Sequence, residues 1–120
     1  MSTRTASVTS PGANGKVLQW SGLLNGDVGN AIQVSDFGDK TVQFRGTFGV
    51  GGTIVLQGSN HPTTPAVWET LTDPQGNIIS KTASALECVI ENPVWIRPSV
   101  TAGDGTTDLI CEINCLKGYK

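Results

Sequence analysis

His61 is the one histidine in the 120-residue chain. A Ser-His-acid or Cys-His arrangement would have to use it as the base, because no other side chain titrates near neutrality without a large shift. It sits in GSNHPTTP, away from any cysteine in sequence, and reads as an exposed loop histidine. Cys88, Cys111 and Cys115 are the other groups with ligand or nucleophile chemistry. Zinc sites usually pair cysteines two to four residues apart on turns and need two such pairs. Cys111 and Cys115 lie on a segment that alternates like a strand, which would spread them about 13 Å apart at 3.3 Å per residue. They read as small inward-facing hydrophobes in a reduced protein.

Two glycine-rich segments invite functional readings and fail them. GVGGT at residues 49–53 lacks the Lys-Ser/Thr of a phosphate loop, and no helix pattern follows it. Asp104-Gly-Thr-Thr-Asp108 lacks the alternating oxygen ligands and distal Glu of a calcium loop. Both are expected as turns. Trp20, Trp68 and Trp95 remain, and aromatics serve cores and interface centres alike. With only seven aromatic residues in the chain, two of the three tryptophans are expected in the core. Trp95, which alternates away from Val94 and Ile96, is the candidate for an exposed contact. No catalytic constellation, metal site or cofactor is expected.

Charged residues make up 15% of the chain and its net charge is −2, with no run of Lys or Arg to neutralise successive phosphates. Nucleic acid is therefore not an expected partner. No apolar stretch approaches the ~20 residues of a bilayer span and the N-terminus has no signal-peptide pattern, so a membrane is not expected either. Three cysteines, an odd number, suit a reducing compartment. The chain reads as a cytosolic product.

The elements that would position these residues are strands. Gly, Thr, Ser and Asn abound, and no window carries a helical apolar period over three turns. One domain is expected from the length. Residues 1–16 are too polar to bury much and read as a flexible N-terminal arm, either a plain tail or a segment that orders on a partner. From Val17 to Lys120, seven or eight short apolar runs punctuated by Gly, Asn, Asp and Pro have the cadence of a sandwich or barrel. Thr41–Phe48 alternates cleanly and should form an antiparallel hairpin with TIVLQGS through GVGG. Residues 58–66 carry two prolines and should be a surface loop. Asp73-Pro74-Gln75-Gly76 is a β-turn signature, and Asp108–Leu116 should turn Leu109, Cys111, Ile113 and Cys115 inward. One apolar face per sheet requires a second layer, hence an all-β, jelly-roll-like antiparallel β-sandwich with an extended N-terminal arm.

Between Val42 and Ile113 the chain carries GTFG, GSN, a Trp followed by LTDPQGN, and RPSVTAGDGTT, in that order. In this it resembles the capsid decoration proteins, also called cement or staple proteins, of short-tailed bacteriophages. The resemblance implies a sandwich on the exterior of the virion capsid, assembled in the host cytoplasm, that clamps neighbouring major capsid subunits. It also implies a homo-oligomer, a dimer ahead of a trimer, and no enzyme activity. GSNHPTTPAVW departs from the pattern, as relatives carry a shorter turn before the Trp. Chosen by position alone, the expected capsid contacts are Arg4, Pro11 and Lys16 in the arm, Gly49, Val50 and Gly51 in the glycine hairpin, Trp95, and Lys117 and Tyr119 at the C-terminus. The rival reading is a carbohydrate- or receptor-binding module of a tail fibre.

Overall fold

A computed structural model describes residues 2–12 and 14–117, the side chain of Pro11 excepted. Twelve strands follow in chain order: β1 (Thr3–Arg4), β2 (Ser7–Gly12), β3 (Gly15–Leu23), β4 (Val28–Gly29), β5 (Ile32–Gln33), β6 (Asp39–Thr47), β7 (Thr53–Ser59), β8 (Glu69–Thr70), β9 (Ser80–Lys81), β10 (Ala85–Cys88), β11 (Trp95–Ala102) and β12 (Asp108–Leu116). There is no helix among the described residues. One sheet runs β10-β6-β12-β3-β2; the other runs β1-β4-β11-β7-β8, with β5 alongside β4 on β11 and β9 alongside β8 on β7. The chain is an all-β, jelly-roll-like sandwich.

The core lies between the sheets because each long strand alternates. β12 buries Leu109, Cys111, Ile113 and Cys115, the inward set its period of two predicts. β6 adds Val42 and Phe44, and β7 adds Ile54 and Leu56 from the facing sheet. Val55 of β7 is also buried, so that strand is covered on both faces where the simple alternation expected one. Trp20 fills the centre against Gly29, where a Cβ would stand 2.6 Å from the indole. Of the three tryptophans only Trp20 is fully buried; Trp68 and Trp95 are half-buried, one fewer in the core than expected.

The expected hairpin of β6 with β7 does not form. β6 pairs with β10 and β12 in one sheet, while β7 pairs with β11, β8 and β9 in the other. The GVGG segment carries the chain across the core, with Gly49 and Gly51 at φ of 74° and 72°. Asp104-Gly105 likewise joins β11 to β12 across the sandwich. The alternation holds for β6 and in part for β7, but it records which face is apolar and not which strand lies alongside.

The expected free arm is also absent. Residues 3–12 contribute a strand to each sheet, β1 parallel to β4 and β2 antiparallel to β3. Ser2 and Arg4 are fastened to Asp27, whose carboxylate accepts the Ser2 N–H, the Leu24 N–H and the Arg4 Nε–H, each at 2.9 Å. Backbone hydrogen bonds are blind to side-chain polarity, so a Ser/Thr-rich segment can complete a sheet that its composition does not announce.

Candidate binding surfaces

The strands have two ends, and each carries a distinct surface. At the first, the β6–β7 and β11–β12 connections meet. The Asp104 carboxylate accepts the Val50 N–H at 2.9 Å, the Thr106 N–H at 2.9 Å and the Thr106 hydroxyl at 2.6 Å. Thr107 donates its hydroxyl to the Phe48 carbonyl at 2.8 Å, and Asn25 donates to the Gly103 carbonyl at 3.2 Å. The Thr106 hydroxyl, with the backbone N–H groups of Val50 and Thr106, pulls the Asp104 carboxyl down to about 2. It is an anion held by dipoles alone. Gly49 is required here, since a Cβ would lie 2.3 Å from Asp104 Oδ1 and φ is positive. Val50 projects from this tip, 81% exposed between two exposed glycines.

At the opposite end, the segment after β7, the approach to β8 and residues 91–93 enclose a groove of about 620 Å³. Asn60, His61, Val67, Glu69, Asn92 and Pro93 are among the residues that line it. The wall is fixed from behind: Trp95 donates its indole N–H to the His61 carbonyl at 2.9 Å, and Val94 N–H donates to Asn60 Oδ1 at 3.1 Å. Arg97 lies over the Trp68 ring, 4.2 Å from its centroid. Trp95 is thus a half-buried strut for the His61 loop and not a free aromatic face.

Behind the groove is a residue that sequence patterning missed. Lys40 is 1% exposed, with its ammonium donating to Asn92 Oδ1 at 2.8 Å and to the Phe37 carbonyl at 3.2 Å. Burial pushes its pKa below the usual value, partly offset by nearby acidic groups, Cys115, Asp39, Cys88 and Glu91. Only its inward place in the β6 alternation (Lys40, Val42, Phe44) signalled this, and a lysine there reads more simply as the strand's solvated start.

The remaining expected contacts lie away from both surfaces described above. Arg4 is ion-paired with Asp27 on β1; burial alone would raise the Asp27 carboxyl, but the Leu24 N–H, Arg4 and the Ser2 N–H outweigh it and hold it below 3.8. Pro11 falls within β2. Lys16 is exposed on β3, 5.8 Å from the Phe37 centroid. Lys117 is exposed and donates its N–H to Asn14 O at 2.9 Å, while Tyr119 lies outside the described residues. Among the described residues two groups of expected contacts are therefore brought together, Gly49, Val50 and Gly51 at the tip and Pro11, Lys16 and Lys117 at one end of β2, β3 and β12.

His61 is exposed and makes its side-chain hydrogen bonds only to Thr63, at 3.3 Å. Among the described residues no cluster of three His, Cys, Asp or Glu could hold a metal. Cys111 and Cys115 are buried thiols; burial raises Cys111 well above its usual value and Cys115 to about 11. Cys88 is exposed.

No protein-family model matches the chain, and no curated protein matches it. Among solved structures, the SPBc2 prophage-derived protein YomS is similar, with 13% identity over 90% of this chain and 99% of that one, and a TM-score of 0.56. A cupin domain from Bordetella pertussis Tohama I gives 18% identity, 94% and 92% coverage and a TM-score of 0.45. KdgF from a Halomonas species gives 9% identity, 94% and 78% coverage and 0.44. At these identities the YomS likeness speaks for the fold alone.

Proposed function

We infer that the chain is a capsid decoration protein, which binds the outside of a viral shell, clamps neighbouring major capsid subunits and performs no catalysis. One observation carries the reading. GTFGV and TAGDGTT, two of the segments in which the chain resembles decoration proteins, converge from distant sequence positions into a single braced tip with Val50 at its apex. A preformed apolar apex loses little conformational freedom on docking, which favours binding to a large rigid partner. The protein-derived partner is the major capsid protein, and a prophage-derived protein with a similar sandwich supports a phage setting. The test is co-sedimentation with capsids of the encoding phage. Wild type should bind and Val50→Glu, at an exposed site that leaves the fold intact, should bind at least tenfold more weakly. Equal binding by the two would refute the tip as the contact, and no binding by wild type would refute the capsid.

The groove favours a second reading, a carbohydrate-binding module. Its amides, Asn60 and Asn92, and the carboxylate Glu69 beside apolar Val67 and Pro93 have the mixed lining that sugars require. A glycan-array signal lost in Glu69→Ala would favour this reading, and silence across the array would remove it.

A further inference from the structure

The five-stranded sheet has two edges, and they are built differently. β2 carries Pro11, which has no N–H to offer, and a register shift between Thr9 and Gly12; both features discourage a further strand. β10 has neither. Its pairing with β6 runs unbroken from Ala85↔Phe44 to Cys88↔Thr41.

The direction of its free backbone groups follows from one bond. Val89 N–H donates to Lys40 O at 3.0 Å, so Val89–Lys40 is a hydrogen-bonded pair. Alternation then makes Glu87–Val42 and Ala85–Phe44 the bonded pairs and turns the N–H and C=O of Leu86 and Cys88 away from β6. Ile90 differs, since its N–H is taken by Thr72 O at 3.0 Å. On the outer face Leu86 is 66% exposed, Ile90 54% exposed, and Cys88 between them is exposed. Leu86 also borders a shallow depression of about 180 Å³ with Val17, Thr41 and Gln43.

We propose that two copies of this chain associate through β10, antiparallel across a two-fold axis at Leu86, joining their five-stranded sheets into one of ten strands. A two-fold contact must be complementary to itself, and the four residues of β10 offer four centres. An axis at Ala85 sets Leu86 opposite the partner's Ser84 and carries Cys88 to the partner's Thr82, outside the strand. An axis at Cys88 needs the Ile90 N–H, which Thr72 already occupies. An axis at Glu87 sets two carboxylates directly opposite, an unfavourable cross-strand pair. An axis at Leu86 packs Leu86 on the partner's Leu86, sets Cys88 opposite the partner's Ser84, and keeps Glu87 opposite the partner's Ala85. Lys81 balances Glu87 within each copy at 2.7 Å, so the edge brings no net repulsion. The contact is between copies of this chain and does not depend on the capsid reading.

Light scattering should give wild type twice the chain mass of 12.6 kDa, and Leu86→Lys the single mass. Leu86 is largely exposed, so the variant keeps its fold, which an unchanged melting curve in dilute solution would verify. Ser84→Cys tests the register: facing Cα atoms of a bonded pair lie about 5.5 Å apart, within disulfide reach. Mild oxidation should convert that variant to a covalent dimer on a non-reducing gel. Wild type should give none, because its two Cys88 residues lie four strand positions apart, about 13 Å. A monomeric wild type, a Leu86→Lys chain that stays dimeric, or a Ser84→Cys chain that does not cross-link would each overturn the proposal.

Discussion

The two ends of the sandwich each hold a charge that has no ion pair among the described residues, and they do it in opposite ways. At the tip, the Asp104 anion sits near the surface and gathers N–H and O–H donors from two loops. At the groove end, the Lys40 cation is buried and gathers only a carbonyl and an amide oxygen. An anion is easily caged by backbone because N–H groups converge in turns, and water can share the cost. The buried cation hydrogen-bonds only neutral acceptors, and the acidic groups farther off, Asp39 and Glu91 among them, offset only part of its lost hydration. The tip is therefore a stiff convexity, whereas the groove end keeps an open concavity around a costly group.

Substitution at Lys40 should have the largest effect. Lys40→Ala removes a buried stem and leaves the Phe37 carbonyl unpaired, so urea unfolding should register a loss of about 2–4 kcal/mol. Lys40→Met keeps the volume and should recover most of that loss; if Met proves as costly as Ala, the ammonium's hydrogen bonds matter more than its packing. At the tip, Gly49→Ala forces a Cβ against Asp104 at a positive φ and should cost about 1–3 kcal/mol by the same measurement. The smaller figure reflects a surface loop that can shift.

Titration should separate the ends further. Asp104 has a folded value of about 2 against 3.8 unfolded, so its contribution is present above 3.8 and is lost as pH falls toward 2. Asp27, Glu91 and Glu112 are also lowered and share that acid limb, so Asp104→Asn should flatten it only in part. Lys40 behaves oppositely in charge: its folded value lies below 10.5, so on its own it makes stability rise as pH climbs toward 10.5, while the Cys111 and Cys115 thiols, raised by burial, make stability fall once pH passes 9.0. Lys40→Met should remove the rising contribution and so steepen the alkaline fall, as read from urea midpoints across the pH range. The smallest effect is expected at the groove mouth, where His61→Ala should change stability by less than about 0.5 kcal/mol in a thermal melt. A larger loss would mean the loop's side chain, and not Trp95 behind it, shapes the groove.

Much of the local structure was legible in the chain. Asp73-Pro74-Gln75-Gly76 forms its turn, with Gly76 N–H donating to Asp73 O at 3.0 Å and the Asp73 carboxylate accepting from Gln75 and Asn77. A turn at Gly49 and Gly51 was legible, because φ and steric demands are local, but the hairpin expected from it was not formed. The groove was not legible. It needs Asn60, Glu69 and Asn92, whose proximity arises only when β7, β8 and the 91–93 segment meet.

The sequence by itself determined the all-β class, the inward set of β12 and the places where the chain turns, since a period of two and a glycine's φ are written residue by residue. Tertiary structure alone decided that β6 and β7 belong to different sheets, that Ser2 and Arg4 are fastened to Asp27, and that β10 was left as an open edge. Backbone N–H and C=O groups are the same at every position, so which strands they join is decided by how the whole core closes and not by any residue's type.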